Sequence, residues 1–144
     1  MKHTTAEHQR LQRLVGHWRG DDHVEDTPYN TNGGSCVTDS HMELALNGLF
    51  VIANDRQTRD GIKVFQAHKI FGWDERIQKY TLHHFDSDGA NPPTRAEGDW
   101  EGDYLSFYQH TPFGFVLYEY VFANANTFTY RMSTSSLGEE WVIF

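Results

Sequence analysis

The 144 residues predict an all-β fold: a closed antiparallel up-and-down barrel of about ten strands behind one short N-terminal helix. Three observations carry this expectation. Apolar residues alternate with a period of two from Gly16 onward. Turn chemistry recurs about every 8–12 residues. No helix-length apolar stripe separates the strands, which argues against βαβ units and a parallel sheet.

The helix comes first. Thr4-Thr5-Ala6-Glu7 has the form of a capping box, in which the Thr4 hydroxyl serves the N3 amide and Glu7 reaches back. Leu11, Leu14 and Val15 follow at i, i+3 and i+4, a narrow apolar stripe. Gly16 stands where a helix ends in a left-handed residue. The pattern predicts a helix over about residues 5–15. So short a helix cannot bury its stripe alone and must lie on the sheet.

Strands are expected near 17–25, 35–46, 49–58, 63–73, 78–86, 95–101, 103–110, 115–122, 127–133 and 139–144. Asn32-Gly33-Gly34, Asn47-Gly48, Asp60-Gly61, Asp86-Ser87-Asp88-Gly89, Glu101-Gly102-Asp103, Asn124-Ala125-Asn126 and Leu137-Gly138 supply the turns. Asn91-Pro92-Pro93 is a stiff connector. A flat meander of this kind carries two exposed edges, and closure removes them. The apolar strand Trp141-Val142-Ile143-Phe144 suits the closing position, giving one domain over 1–144 with helix 5–15 and barrel 16–144.

Composition narrows the partners. The net charge of −8, with no Lys/Arg stripe, excludes nucleic acid and anionic membrane surfaces. Nine histidines would cancel that charge if all were protonated, so solubility and oligomeric state are expected to depend on pH near 6. Cys36 stands alone, so no intrachain disulfide forms. Residues 1–20 contain no secretory apolar core, and the longest apolar run, Leu49–Ala53, is too short to span a bilayer. The expected location is cytoplasmic.

Hairpin parity assigns faces. With Asn47-Gly48 as a turn, Cys36, Thr38, Ser40, Met42 and Leu44 share a side with Val51 and Ala53. Carried through Asp60-Gly61, the same side continues as Val64, Gln66, His68 and Ile70. The other side holds Asp39, His41, Glu43 and Lys69, costlier to bury, so the first set is placed inside. His68 is thus an expected interior histidine. His83 and His84 are consecutive on one strand, so one faces in and the other out.

The chain also carries Glu7-His8-x-x-Leu11-x-x-Leu14-Val15-Gly16-x-Trp18-x-Gly20, then Phe71-Gly72-Trp73-Asp74, Phe85-Asp86-Ser87 and Gly98-x-Trp100-x-Gly102-Asp103. In their order and spacing these resemble a bacterial family of uncharacterised lipocalin-like (calycin) proteins. The resemblance implies a barrel with a helix near its mouth, Gly16-x-Trp18 on the first strand and Trp18 packed across the closed end. It implies no activity.

Barrels of this size hold either packed side chains or one small ligand. Tyr118, Tyr120 and Phe122 alternate on one strand, as do Phe128, Tyr130 and Met132 on the next. They read as core packing or as a pocket wall whose phenols orient a ligand. His68 with His83 or His84 is the sharper group, able to bond a ligand or move a proton. Neither zinc nor haem is expected: ligand spacing for zinc and an axial-ligand pattern for haem are both absent. Glu97, Asp99 and Glu101 read as a solvated strand face.

The leading expectation is a binder of a small hydrophobic or aromatic molecule, lined by Met42, Leu44, Val51, His68, Tyr118, Tyr120 and one of His83 and His84. The alternative is a cofactor-independent isomerase, cyclase, hydratase or decarboxylase, with His68 or His84 as acid-base and a tyrosine hydroxyl stabilising negative charge. A third reading is a homodimer that interacts through its sheet surface.

Overall fold

The computed structural model describes residues 1–24 and 33–135, together with the backbone of Val142–Ile143. The helix α1 (Ala6–Arg10) runs directly into a 3-10 helix over Leu11–Leu14. Ten strands follow: β1 (Gly16–Val24), β2 (Gly34–Ala45), β3 (Phe50–Arg59), β4 (Ile62–Asp74), β5 (Lys79–Asp86), β6 (Ala96–Glu101), β7 (Tyr104–Thr111), β8 (Gly114–Asn124), β9 (Thr127–Ser135) and β10 (Val142–Ile143). Each pairs antiparallel with its sequence neighbour, in the order β1 to β10. The expected Leu137-Gly138 turn, Trp141 and Phe144 lie outside the described residues. Among the described residues no helix is long and apolar enough to cross a membrane.

Closure is where expectation and structure part. The nine long strands curl into an open half-barrel. The described part of the last strand, the two residues of β10, pairs with β9. Among the described residues no ladder joins it or β9 to β1. A cleft lies there instead, between Trp18–His23 of β1 and Asn126–Arg131 at the start of β9. Ring packing, not a ladder, spans it: Trp18 and Phe128 meet edge to face at 4.6 Å.

The helix covers one end of the curl. Leu11 and Leu14 are fully buried and join the core of Val51, Phe71, Tyr80, Leu82, Leu105 and Phe107. Burying such side chains contributes roughly 1.5–3 kcal/mol each. Tyr80 Oη donates to the Glu7 carbonyl at 2.8 Å, and Trp18 Nε1 donates to the Leu14 carbonyl at 2.7 Å. Those bonds satisfy carbonyls that a short helix cannot satisfy itself. The cap is displaced by one residue from expectation. Thr5, not Thr4, is the N-cap, and His8, not Glu7, reaches back to it.

The Asn47-Gly48 connection is wider than a two-residue turn, with Ala45 opposite Phe50, yet it preserves parity, so Met42 and Val51 face inward as expected. Asp60 and Gly61, at φ 52° and 76°, form the tight turn expected of them. Beyond them the parity argument fails. Lys63 pairs with Thr58, but the next partner of β3, Gln57, pairs with Phe65. Val64 is the extra residue of a β-bulge. A one-residue slip moves every later side chain to the opposite face. Phe65, Ala67, Lys69 and Phe71 therefore take the inner face, and Val64, Gln66 and His68 are exposed.

Candidate functional site

The interior has two halves. The half under the helix is apolar. The half toward the cleft is polar, and Lys69 stands in it at 3% exposure. Its ammonium donates to Asp55 Oδ2 at 2.9 Å and to Tyr120 Oη at 3.3 Å. It lies 4.1 Å from the centre of the Tyr130 ring, a cation–π contact. Ser40 donates to the other Asp55 oxygen. Burial opposes the Lys69 charge, but Tyr120, Tyr130 and Asp55 outweigh it and hold the group's pKa well above its ordinary value. The ammonium is thus charged at neutral pH. The same burial pushes the Tyr120 phenol up to about 12 and raises those of Tyr118 and Tyr130, so all three stay protonated.

His84 is the inward member of the histidine pair. Its side chain is 9% exposed, its ring lies 5.4 Å from that of Tyr118, and its Nε2 is 3.0 Å from Asp86 Oδ2. Burial lowers its pKa first, and the Lys69 charge lowers it further, against the opposing pull of Asp86. The neutral ring must carry its proton on Nε2, because a carboxylate only accepts. Nδ1 is then a lone pair, buried, with no hydrogen-bond partner. Tyr118 Oη donates to Gln109, which in turn donates to the Thr94 carbonyl.

The Tyr130 hydroxyl is also buried, with the Lys69 ammonium beside it and no acceptor for its own proton among the described residues. Leaving such a group unpaired costs about 1–3 kcal/mol. Tyr130 belongs to the wall of the cleft between β1 and β9, which encloses about 430 Å³ and also presents Trp18, Thr38, Ser40 and Phe128. Thr38 and Gln57 both donate to Asp22 Oδ2 at its upper side.

The expected site residues are divided by this geometry. Met42, Tyr118 and Tyr120 are buried on the inner face, and His84 joins them. Val51 is buried in the half under the helix. Leu44 is 43% exposed. His83 pairs with Ile70 on the outer face. His68 is the plainest correction: the Val64 bulge turns it outward, where Nδ1 lies 2.7 Å from Asn54 Oδ1. Tyr130 reads from sequence as core or pocket wall, whereas Lys69 is placed on the outer face and Asp55 is not singled out. A usable sign was present, because Phe65, Ala67, Phe71 and Trp73 alternate in step with Lys69.

The outer face carries a larger but shallow trough of about 580 Å³, bordered by His41, Asn54, Arg56, Gln66, His68 and Phe85. His17 stacks on His41 at 3.8 Å and bonds Asp39 at 3.2 Å, so their nitrogens do not converge. Among the described residues no group of three His, Cys, Asp or Glu side chains is placed to hold a metal. Glu97, Asp99 and Glu101 are exposed, as a solvated face requires.

No curated protein matches the chain. Residues 3–144, nearly the whole length, match the family described as "Protein of unknown function (DUF1579)". A short helix followed by a single curled antiparallel sheet is thus the form of this member, and the chain belongs to that family.

Proposed function

We propose that the protein binds a small, mostly apolar molecule on the inner face of its half-barrel, reached through the cleft between β1 and β9. One observation carries the reading: the Tyr130 hydroxyl is buried beside the donor-only Lys69 ammonium, with nothing among the described residues to accept its proton, on the wall of a cleft of ligand size. A fold built for stability alone would place phenylalanine there. The aromatic faces of Trp18, Phe128 and Tyr130 suit a flat apolar body, and the Tyr130 hydroxyl suits one hydrogen-bonding group on it. The curl of the sheet supports the reading only in that it leaves a concave inner face open at one side. The lining proposed here keeps Met42, Tyr118, Tyr120 and His84 and adds Trp18, Lys69 and Tyr130.

Native mass spectrometry of freshly purified protein tests this directly. A bound species lost on Tyr130→Phe substitution, which is expected to keep the fold, supports the proposal. Protein of bare chain mass, together with no cleft resonance shifted by any member of an aromatic fragment library, overturns it.

A catalytic role is the second reading, and the His84–Asp86 pair favours it. A neutral imidazole oriented by a carboxylate, with its other nitrogen bare, has the form of a general base. Lys69 beside it suits stabilisation of developing negative charge. Turnover of a ligand identified by mass spectrometry, abolished in His84→Ala but with binding retained, distinguishes this from binding alone.

A further inference from the structure

The cap of the N-terminal helix is built on a titratable group. A capping box ordinarily places Glu or Gln at N3, whose side-chain oxygen accepts from the N-cap amide. Here N3 is His8. Its Nδ1 lies 3.0 Å from the Thr5 amide, which donates to it, and 2.8 Å from Thr5 Oγ1. The amide has no other role to play, so Nδ1 must be the unprotonated nitrogen. His8 is also 4% exposed, although it belongs to the first turn of a surface helix.

We propose that the helix is a pH-sensitive plug: protonation of His8 at Nδ1 breaks its cap and loosens the cover over the apolar end of the half-barrel. The step is a single proton transfer from solvent to the Nδ1 lone pair. Once occupied, that nitrogen turns from acceptor to donor: it can donate to Thr5 Oγ1, but the Thr5 amide loses its acceptor, and with it the helix loses that cap bond. The protonated ring either swings out to solvent or stays without the amide bond, where the buried position disfavours its charge.

The surrounding charges set where this occurs. Burial is the main influence holding the His8 pKa below its ordinary value, and Lys2 adds to it; Glu7 on the same helix and Glu75 on the β4–β5 turn oppose them. Lys2 and Glu75 bind each other at 2.9 Å, so their effects largely cancel. From β5 the helix is faced by the Tyr80 hydroxyl, which holds the Glu7 carbonyl. That contact and the burial of Leu11 and Leu14 keep the helix in place above the transition. Short helices owe little to their own hydrogen bonds, so the cap is a large part of what local stability this one has.

Hydrogen exchange of the full chain, corrected for the intrinsic effect of pH, tests the proposal. Between pH 7.5 and 5, amides of the segment 6–14 are expected to lose about tenfold in protection, the equivalent of one cap, while β7 and β8 keep theirs. In His8→Gln, whose side-chain oxygen accepts at any pH, protection of the segment is expected to stay constant. Equal loss in the variant and the wild type would assign the effect to another group and overturn the proposal. So would unchanged protection in the wild type. A readout on the wild type alone guards against a variant that folds poorly: imidazole nitrogen shifts of His8 should show the Nε2–H form, titrating below 6.5. The Nδ1–H form, or a midpoint above 6.5, overturns the proposal as well.

Discussion

Lys69 stands directly opposite His84 on the ladder between β4 and β5, and both side chains point into the half-barrel. Each is held by its own carboxylate, Asp55 for the ammonium and Asp86 for the imidazole. Those two carboxylates flank Ala67 one row away. The row of Asp55, Ala67 and Asp86 therefore supplies negative charge, and the row of Lys69 and His84 answers it. The result is a polar interior in which one group is charged and its neighbour is kept neutral.

Removing half of a buried pair leaves the other half unmatched. Lys69→Met is expected to destabilise the fold by about 3–5 kcal/mol, because Asp55 then loses its counter-charge and, among the described residues, keeps the Ser40 hydroxyl. Adding Asp55→Asn should recover part of the loss, with a coupling of about 0.5–3 kcal/mol. Urea denaturation of the two single variants and the double variant at pH 7 measures that coupling. Strict additivity would show that the pair does not act as a unit.

Tyr130→Phe should act in the opposite direction. It deletes a buried hydroxyl whose proton has no acceptor among the described residues and leaves the ring over Lys69 intact. The free protein is expected to gain about 1 kcal/mol of stability. Thermal melts of ligand-free protein read this. A lowered melting temperature would mean that the hydroxyl is satisfied in solution.

Acid should weaken the fold well before carboxylates titrate. His8, His83 and His84 are all shifted down, in each case first by burial. The unfolded chain then binds protons near pH 6.5 that the folded chain still refuses. Stability is therefore expected to be level above about pH 7 and to decline as pH falls through 6.5, by up to about 1.4 kcal/mol per pH unit for each proton. A later loss belongs to Asp74. Arg95 is the chief cause of its depressed pKa of about 2, so its contribution is present above 3.8 and disappears between 3.8 and 2. Denaturant titrations at half-unit intervals from pH 8 to 2 should resolve the two phases. Constant stability from pH 7 to 5 contradicts the first.

The bulge at Val64 permits a sharper test of register. Val64 is 49% exposed and pairs with nothing across the β3–β4 ladder. Deleting it joins Lys63 to Phe65 and leaves an uninterrupted ladder with Lys69 still inside. The deletion is expected to cost about 1 kcal/mol or less. Inserting a residue at the same point should instead turn Lys69 and Phe71 outward and prevent folding. Circular dichroism and melting of the two variants compare them. A deletion as damaging as the insertion would show that the assigned register is wrong.

Much of this fold was legible from turns alone. Asp60-Gly61 fixed a hairpin because φ > 0 is cheap for those residues, and the even spacing of such signals fixed the strand order. The helix was legible from Leu11 and Leu14. Its cap was less so, because two threonines precede two candidate partners in the same spacing, and only burial of His8 decides between them. Closure was inferred from edge avoidance, which states a preference without supplying a ladder. The site was misread at one residue. Val64 is an ordinary strand residue and announces no bulge. The rule that lysine belongs outside favours the wrong face. That rule holds where no counter-charge is at hand, whereas Asp55, close by on the neighbouring strand, supplies one.

Each strand lies against its neighbour in sequence, and this has a kinetic consequence. Hairpins close short loops, whose entropic cost is small, so the sheet can zip progressively from any turn. The helix is the exception, since Glu7 meets Tyr80 across some seventy intervening residues. It can dock only after the middle strands have assembled. Refolding watched at Trp18 should accordingly trail behind signals from the central hairpins, with the helix the last piece to arrive and the first to leave.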